Sequence, residues 1–174
     1  MSVRIRAAVP TDARAIAELH VASWQATYRG QLTDGYLDGL SAEDRLRSTR
    51  DSIERAGPGR RTWIVEEGEQ VLGFAVTGSS EDADADADRQ TGEVYAIYLD
   101  PERVGTGAGR ALFAHVVGDL RERGYLTATL WVLGSNERAR RFYEAAGWAP
   151  DGTVATECVD CEMRPTIRYR ADLV

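Results

Sequence analysis

The chain reads as a mixed α/β fold built on one sheet, and three observations predict it. Segments with the two-residue alternation of strands interchange with segments whose apolar residues recur at helical spacing. A strand at residues 93–99 runs into a turn holding Gly105, Gly107 and Gly109, and that turn opens a helix. A second strand–loop–helix unit follows from Leu130 to Trp148, closed by Gly147. At 174 residues the chain is expected to be one domain over 1–174, long enough to bury about 70% of its unfolded surface.

Each element has its local reason. Residues 3–9 form a strand, and Pro10-Thr-Asp opens a helix that continues to Tyr28, because proline and an acid suit a first helical turn. Short helices are expected near 33–39 and 42–55, before the Gly57-Pro-Gly turn. Strands follow at 62–67 and 70–78, joined by Gly68-Glu69. The helix over 108–122 carries the stripe Leu112, Phe113, Val116, Val117 and Leu120 and ends at Gly124. After a strand at 125–133, a helix begins at Asn136 with the stripe Ala139, Phe142, Tyr143 and Ala146, and strands near 149–155 and 164–171 close the pattern.

The glycine turn carries the chemistry. Glycines lack the Cβ that keeps a ligand from the backbone, and the first amides of the following helix have no intrahelical partner and sit at the positive end of its dipole. Such a turn can hold a pyrophosphate. A Walker loop is excluded because Gly109 is followed by Arg110-Ala111, with neither the lysine nor the magnesium-binding hydroxyl. A dinucleotide fold fits poorly, since the spacing is Gly-x-Gly-x-Gly and Tyr125-Leu-Thr-Ala-Thr-Leu130 offers no acid at the ribose position.

The window Val104-Gly105-Thr106-Gly107-Ala108-Gly109 resembles the coenzyme A loop of the GNAT superfamily of N-acetyltransferases, Arg/Gln-x-x-Gly-x-Gly/Ala. It departs at the first position, where Val104 stands and Arg103 comes one residue early. The string from Val132 through Asn136, Ala139, Phe142 and Tyr143 to Gly147-Trp148 is similar to that family's Val-x-x-x-Asn-x-x-Ala-x-x-Phe-Tyr-x-x-x-Gly-Phe, with tryptophan for the last phenylalanine. Two motifs in the right order, about thirty residues apart, are far more specific than either alone.

The resemblance implies the GNAT fold: a single mixed, mostly antiparallel sheet flanked by helices, with two central strands splayed to admit the pantetheine arm. It implies acetyl-CoA as co-substrate and transfer of its acetyl group to a primary amine by direct attack. Backbone groups of Ile97, Tyr98 and Leu99 would bind pantetheine and polarise the carbonyl, residues 104–110 including Ala108 and Arg110 would hold the pyrophosphate, and Asn136, Ala139 and Phe142 would meet the coenzyme from the other side. Tyr143 would give its proton to the departing sulfur, since a phenol with a pKa near 10 is protonated at neutral pH. Glu93 falls where many family members carry a general base, although a solvated strand-end glutamate is an equal reading. Alternation places Glu93, Tyr95, Ile97 and Leu99 on one face. A non-catalytic coenzyme A-binding module is the alternative function.

The resemblance implies an acceptor site among His20, Trp24, Gln25, Tyr28 and Tyr36, with Trp24 and Tyr28 as substrate contacts, although for Trp24 core packing is the simpler reading. The acceptor itself, an amine-bearing small molecule, peptide or protein, is not specified. A net charge of −7 argues against nucleic acid, no run has membrane-spanning length, and the opening Met-Ser-Val-Arg-Ile-Arg lacks a signal-peptide core, so a cytoplasmic enzyme is expected. A homodimer is left open.

No metal is expected. The acids at 82, 84, 86, 88 and 93 have EF-hand spacing, but Ala87 occupies the glycine position and the flanks read as strands. A solvated Asp-Ala loop is the plainer reading. Cys158 and Cys161 are the only cysteines and have no second ligand pair at zinc spacing, so they read as free thiols in a loop. His115, off its helix's apolar stripe, is expected at the surface.

Overall fold

The computed structural model describes residues 3–55, 59–82 and 90–174. In chain order its elements are β1 (Arg4–Ala7), α1 (Ala13–Tyr28), α2 (Asp34–Asp38), α3 (Ala42–Glu54), β2 (Arg60–Glu67), β3 (Gln70–Ser79), β4 (Thr91–Leu99), α4 (Ala108–Glu122), β5 (Thr127–Leu133), α5 (Glu137–Ala145), β6 (Ala149–Val159) and β7 (Glu162–Asp172). Short 3-10 turns at Pro10–Asp12 and Pro101–Arg103 lead into α1 and out of β4. The strands form one seven-stranded sheet in the order β1-β2-β3-β4-β5-β7-β6. Every neighbouring pair is antiparallel except β4–β5.

That exception defines the molecule. The parallel β4–β5 pairing covers only Thr91–Thr127, Gly92–Ala128 and Glu93–Thr129. Beyond those rungs the strands separate, β4 staying with β3 and β5 with β7. The sheet is thus two halves joined at a fork. One face packs under α4 and α5, where Leu112, Phe113, Val116 and Leu120 meet Leu130, Tyr143 and Trp148. On the other face α1 and α3 bring Ile16, Leu19 and Ile53 against Ile64, Phe74 and Val76. This two-sided burial accounts for the continuous apolar run of β3, buried from Leu72 to Gly78.

Strand β4 corrects one expectation. Its register with β3 slips where Thr77 pairs Val94 and Val76 pairs Ala96, which leaves Tyr95 as an extra residue without a partner. A bulge restarts the alternation. Tyr95, Ala96 and Tyr98 consequently pack on the α1 side and Val94, Ile97 and Leu99 on the α4 side, and Glu93, next to Val94, alternates to the face opposite it. Glu93 and Tyr95 do not share a face with Ile97 and Leu99, because simple alternation cannot foresee an inserted residue.

Smaller differences have similar causes. The final strands run on to Val159 and back from Glu162, so Cys158 lies in β6 and Cys161 in a tight hairpin turn, where Asp160 and Cys161 both take positive φ, 54° and 58°; both thiols are exposed and free. His115 is half-buried, its ring set edge-on at 4.5 Å from Trp63 of β2. Ala146, expected on the apolar stripe of α5, is its exposed C-cap. Most of the Asp-Ala tract, Asp84 to Asp88, lies outside the described residues, as do Gly57 and Pro58 of the expected turn. Among the described residues no three His, Cys, Asp or Glu side chains are grouped to hold a metal, and no helix is long and apolar enough to cross a membrane.

Candidate active site

A cavity of about 750 Å³ fills the fork and runs from the glycine turn to α1 and β6. Its first end is a backbone surface. Side-chain oxygens of Thr33, Ser41 and Asn136 cap α2, α3 and α5, but α4 has Gly107 at its N-cap with φ 94° and no side chain to cover the first amides. Gly105 is also left-handed at φ 84°, and a Cβ on either glycine would meet nothing within 4 Å, so the space above the turn is open to a ligand. The turn is braced from below: Thr106 Oγ1 donates to the Arg103 carbonyl at 2.7 Å and Asp100 accepts the Glu102 amide at 3.0 Å.

Val104, Gly105, Thr106, Gly107, Gly109 and Arg110 of this turn line the cavity. Ala108 does not; it packs into the core at 3% exposure. Two cations with no place in the expected site, Arg103 and Arg138, join Arg110 there. Arg103 is positioned by Gln70 Oε1 at 3.2 Å and by Glu67 at 3.7 Å. An exposed, amide-lined turn with three guanidinium groups fits a polyanionic ligand.

The middle of the cavity lies between the separated strands. Ile97, Tyr98 and Leu99 line it from β4, and Ala139, Phe142 and Tyr143 from α5. Phe142 does two things, since it also packs edge-on against Phe113 at 5.4 Å. Asn136 accepts the Ala139 amide at 3.1 Å as the cap of α5, while its amide nitrogen donates to the Tyr28 hydroxyl at 3.2 Å. Tyr143 is 7% exposed, wedged near Phe113 and Tyr169 at ring separations of 5.6 and 6.0 Å. Burial, with smaller contributions from the Tyr98 and Tyr28 phenols, pushes the Tyr143 hydroxyl well above the usual phenol range.

At the far end the cavity is aromatic. Trp24 and Tyr28 of α1 line it with ring centroids 4.9 Å apart, and burial pushes Tyr28 up to about 12 against the opposing hydrogen bond from Asn136. His20 does not line the cavity but stacks on Tyr98, which does, at 4.5 Å and 24°. Gln25 turns away to the Leu37 carbonyl at 2.9 Å, and Tyr36 packs around Leu37. Trp131 of β5 and Glu157 of β6 complete this end; neither stood out in the sequence, and β6 was expected to stop before Glu157. Glu93 sits apart, 8% exposed at the closed end of the fork and outside the cavity lining. Burial first, then the neighbouring Asp82, raises its carboxyl above the ordinary range, partly offset by hydrogen bonds from the Glu81 backbone and Ser80.

A forked sheet, an amide cradle at the N-terminus of α4 and a cavity threading the gap define a coenzyme-binding acyltransferase architecture. The chain belongs to the acetyltransferase (GNAT) family, whose sequence model matches residues 15–148, and it is an N-acetyltransferase. It is 36% identical over 146 residues to the uncharacterized N-acetyltransferase YuaI of Bacillus subtilis, covering 82% of this chain and 78% of that protein. To the probable N-acetyltransferase Rv2775 of Mycobacterium tuberculosis it is 30% identical over 161 residues, covering 89% and 84% of the two chains. The fold matches that of the PaiA N-acetyltransferase of Thermoplasma acidophilum, solved with coenzyme A, with a TM-score of 0.72 at 19% identity over 99% of both chains.

Proposed function

We propose that this chain moves the acetyl group of acetyl-CoA directly to a primary amine. The observation that carries the reading is the continuity of one cavity, from open amides and arginines at the glycine turn, past a buried phenol, to an aromatic end bearing a carboxylate. The donor end suits the coenzyme: Val104 to Arg110 receive the pyrophosphate, with Arg103, Arg110 and Arg138 as flanking cations. Bound acetyl-CoA supplies an activated thioester. The β4 backbone at Ile97, Tyr98 and Leu99, which has lost its β5 partner beyond the fork, offers hydrogen bonds to the pantetheine arm and to the oxygen on which charge develops.

Tyr143 keeps its proton because its surroundings disfavour the phenolate, so it acts as an acid toward the leaving sulfur and not as a base. Glu93 takes the proton of the attacking ammonium through water, since its carboxyl lies outside the cavity while its neighbours Val94 and Tyr95 line it. Its raised pKa makes it a stronger base than an ordinary glutamate.

Free-thiol release from acetyl-CoA across a panel of amines tests the reaction. Turnover with at least one amine is expected; coenzyme A binding without turnover would make the chain a non-catalytic coenzyme A module. Tyr143→Phe keeps the ring and its packing. It should leave acetyl-CoA affinity unchanged and slow single-turnover transfer by about 100-fold; transfer at the parent's rate would assign the proton to water.

A further inference from the structure

Glu157 is the only carboxylate among the described residues lining the cavity. It lies on β6, where it pairs in register with Arg164 of β7. The guanidinium of Arg164 is nonetheless engaged elsewhere, by Glu162 at 2.8 Å. Glu157 itself makes no ion pair within the described residues, although the chain forms them elsewhere: Arg168 with Asp151 at 2.7 Å, and Arg29 with Asp34 and Asp38 at 2.8 Å. A carboxylate left unpaired at a cavity wall while its cross-strand cation is held by another acid is placed to receive a cation from outside.

Its surroundings define that cation. The carboxylate lines the same cavity as the Tyr28 and Tyr98 phenols, and its charge adds a little to the rise that burial gives both. Trp24, Tyr28 and Tyr98 present aromatic surface to the same end of the cavity. Aromatic faces attract ammonium ions and bury apolar carriers. The strand is also fixed in place: at the β6–β7 hairpin tip, Asp160 accepts from the Thr33 amide at 2.6 Å and from its hydroxyl at 2.9 Å. That tie joins the hairpin to the cap of α2, and through the α1–α2 segment to the helix carrying Trp24 and Tyr28.

We infer that Glu157 is the specificity residue of the acceptor end, holding the ammonium of a primary amine whose carrier is aromatic or apolar and lies against Trp24, Tyr28 and Tyr98. The inference rests on the acetyl-transfer reading for the word acceptor, but it is a statement about cation binding and can be tested without turnover.

The full chain is titrated calorimetrically, with and without coenzyme A, against 2-phenylethylamine, 2-phenylethanol and 3-phenylpropionate, which share a ring and differ in charge. The ammonium should bind about tenfold or more tightly than the alcohol, and the carboxylate not measurably. Glu157→Gln should abolish the preference between amine and alcohol while leaving coenzyme A affinity as it was. Glu162→Gln, which removes the neighbouring acid, should keep that preference. Equal binding of amine and alcohol by the parent, or a preference that survives Glu157→Gln, would overturn the inference. Retained, Glu157-dependent amine binding without thiol release from acetyl-CoA would uphold it and sink the transfer reaction instead.

Discussion

The two ends of the cavity are built from different materials. At the glycine turn the ligand surface is backbone, shaped by Gly105 and Gly107 in left-handed conformations and by the uncapped start of α4. At the aromatic end it is side chain: Trp24 and Tyr28 from α1, Tyr98 from β4, Trp131 from β5 and Glu157 from β6. A backbone site needs only a short local sequence and tolerates change around it, whereas a side-chain site of this kind needs four elements to converge and changes with any of them. One end is therefore suited to a constant ligand and the other to a variable one.

The sharpest break of that contrast is at Gly107. Gly107→Val puts a branched side chain where a ligand would approach and forces it to a φ of 94°. Coenzyme A affinity measured by calorimetry should fall by more than about 100-fold, with a stability loss of about 1–2 kcal/mol from the left-handed strain. Binding of 2-phenylethylamine should survive. Loss of both ligands together would mean that the ends are not independent.

At the closed end of the fork, Glu93→Gln should lower turnover on the order of 100-fold if the carboxylate takes the acceptor's proton. The same variant reports on burial. A carboxyl raised above its unfolded value favours the folded state while protonated, so its contribution is present below the ordinary pKa of 4.5 and is lost as pH rises through the folded value. Denaturant unfolding of parent and variant across that range should show the variant gaining relative stability as pH rises. A constant difference would mean that Glu93 is not desolvated.

His20 gives the opposite sign. Burial, then Arg45 nearby, lowers its pKa from 6.5 to about 4, with Arg45 at 3.4 Å from Nδ1. The stabilising neutral form is fully present above 6.5 and its advantage is lost as pH falls toward 4. His20→Phe should remove that acid sensitivity from the α1 side of the cavity. The smallest effect is expected at Tyr28→Phe, which deletes the hydrogen bond from Asn136. It should cost about 1 kcal/mol of stability, read by urea unfolding, and leave coenzyme A binding intact.

The same division decided what could be read before the structure. The glycine turn and the Asn136 helix were legible because their signals are local: three glycines at alternate positions, a cap followed by an apolar stripe. Element order was legible for the same reason. The bulge at Tyr95 was not, because a slip between Val76 and Thr77 belongs to a pair of strands and leaves no mark on either alone. Glu157 was missed because β6 is exposed along nearly its whole length, so it lacks the alternation that signals a strand and orients its side chains. His115 was misjudged because Trp63, 52 positions away in the chain, supplies the surface that covers it.

The three rungs that join β4 to β5 act as a hinge point with long arms. Leu99 lies about 20 Å along β4 from Glu93 at roughly 3.3 Å per residue, so a change of about five degrees at the apex would move it by nearly 2 Å. Misplacement by about 1 Å is enough to cost a reaction some 100-fold. The paired hydroxyls of Thr91 and Thr127, 2.9 Å apart at the rung farthest from the opening, thus hold a geometric lever over chemistry they never touch. Substitutions there would retune the gap as a vernier does, by small rotations read out at the far end of the strands.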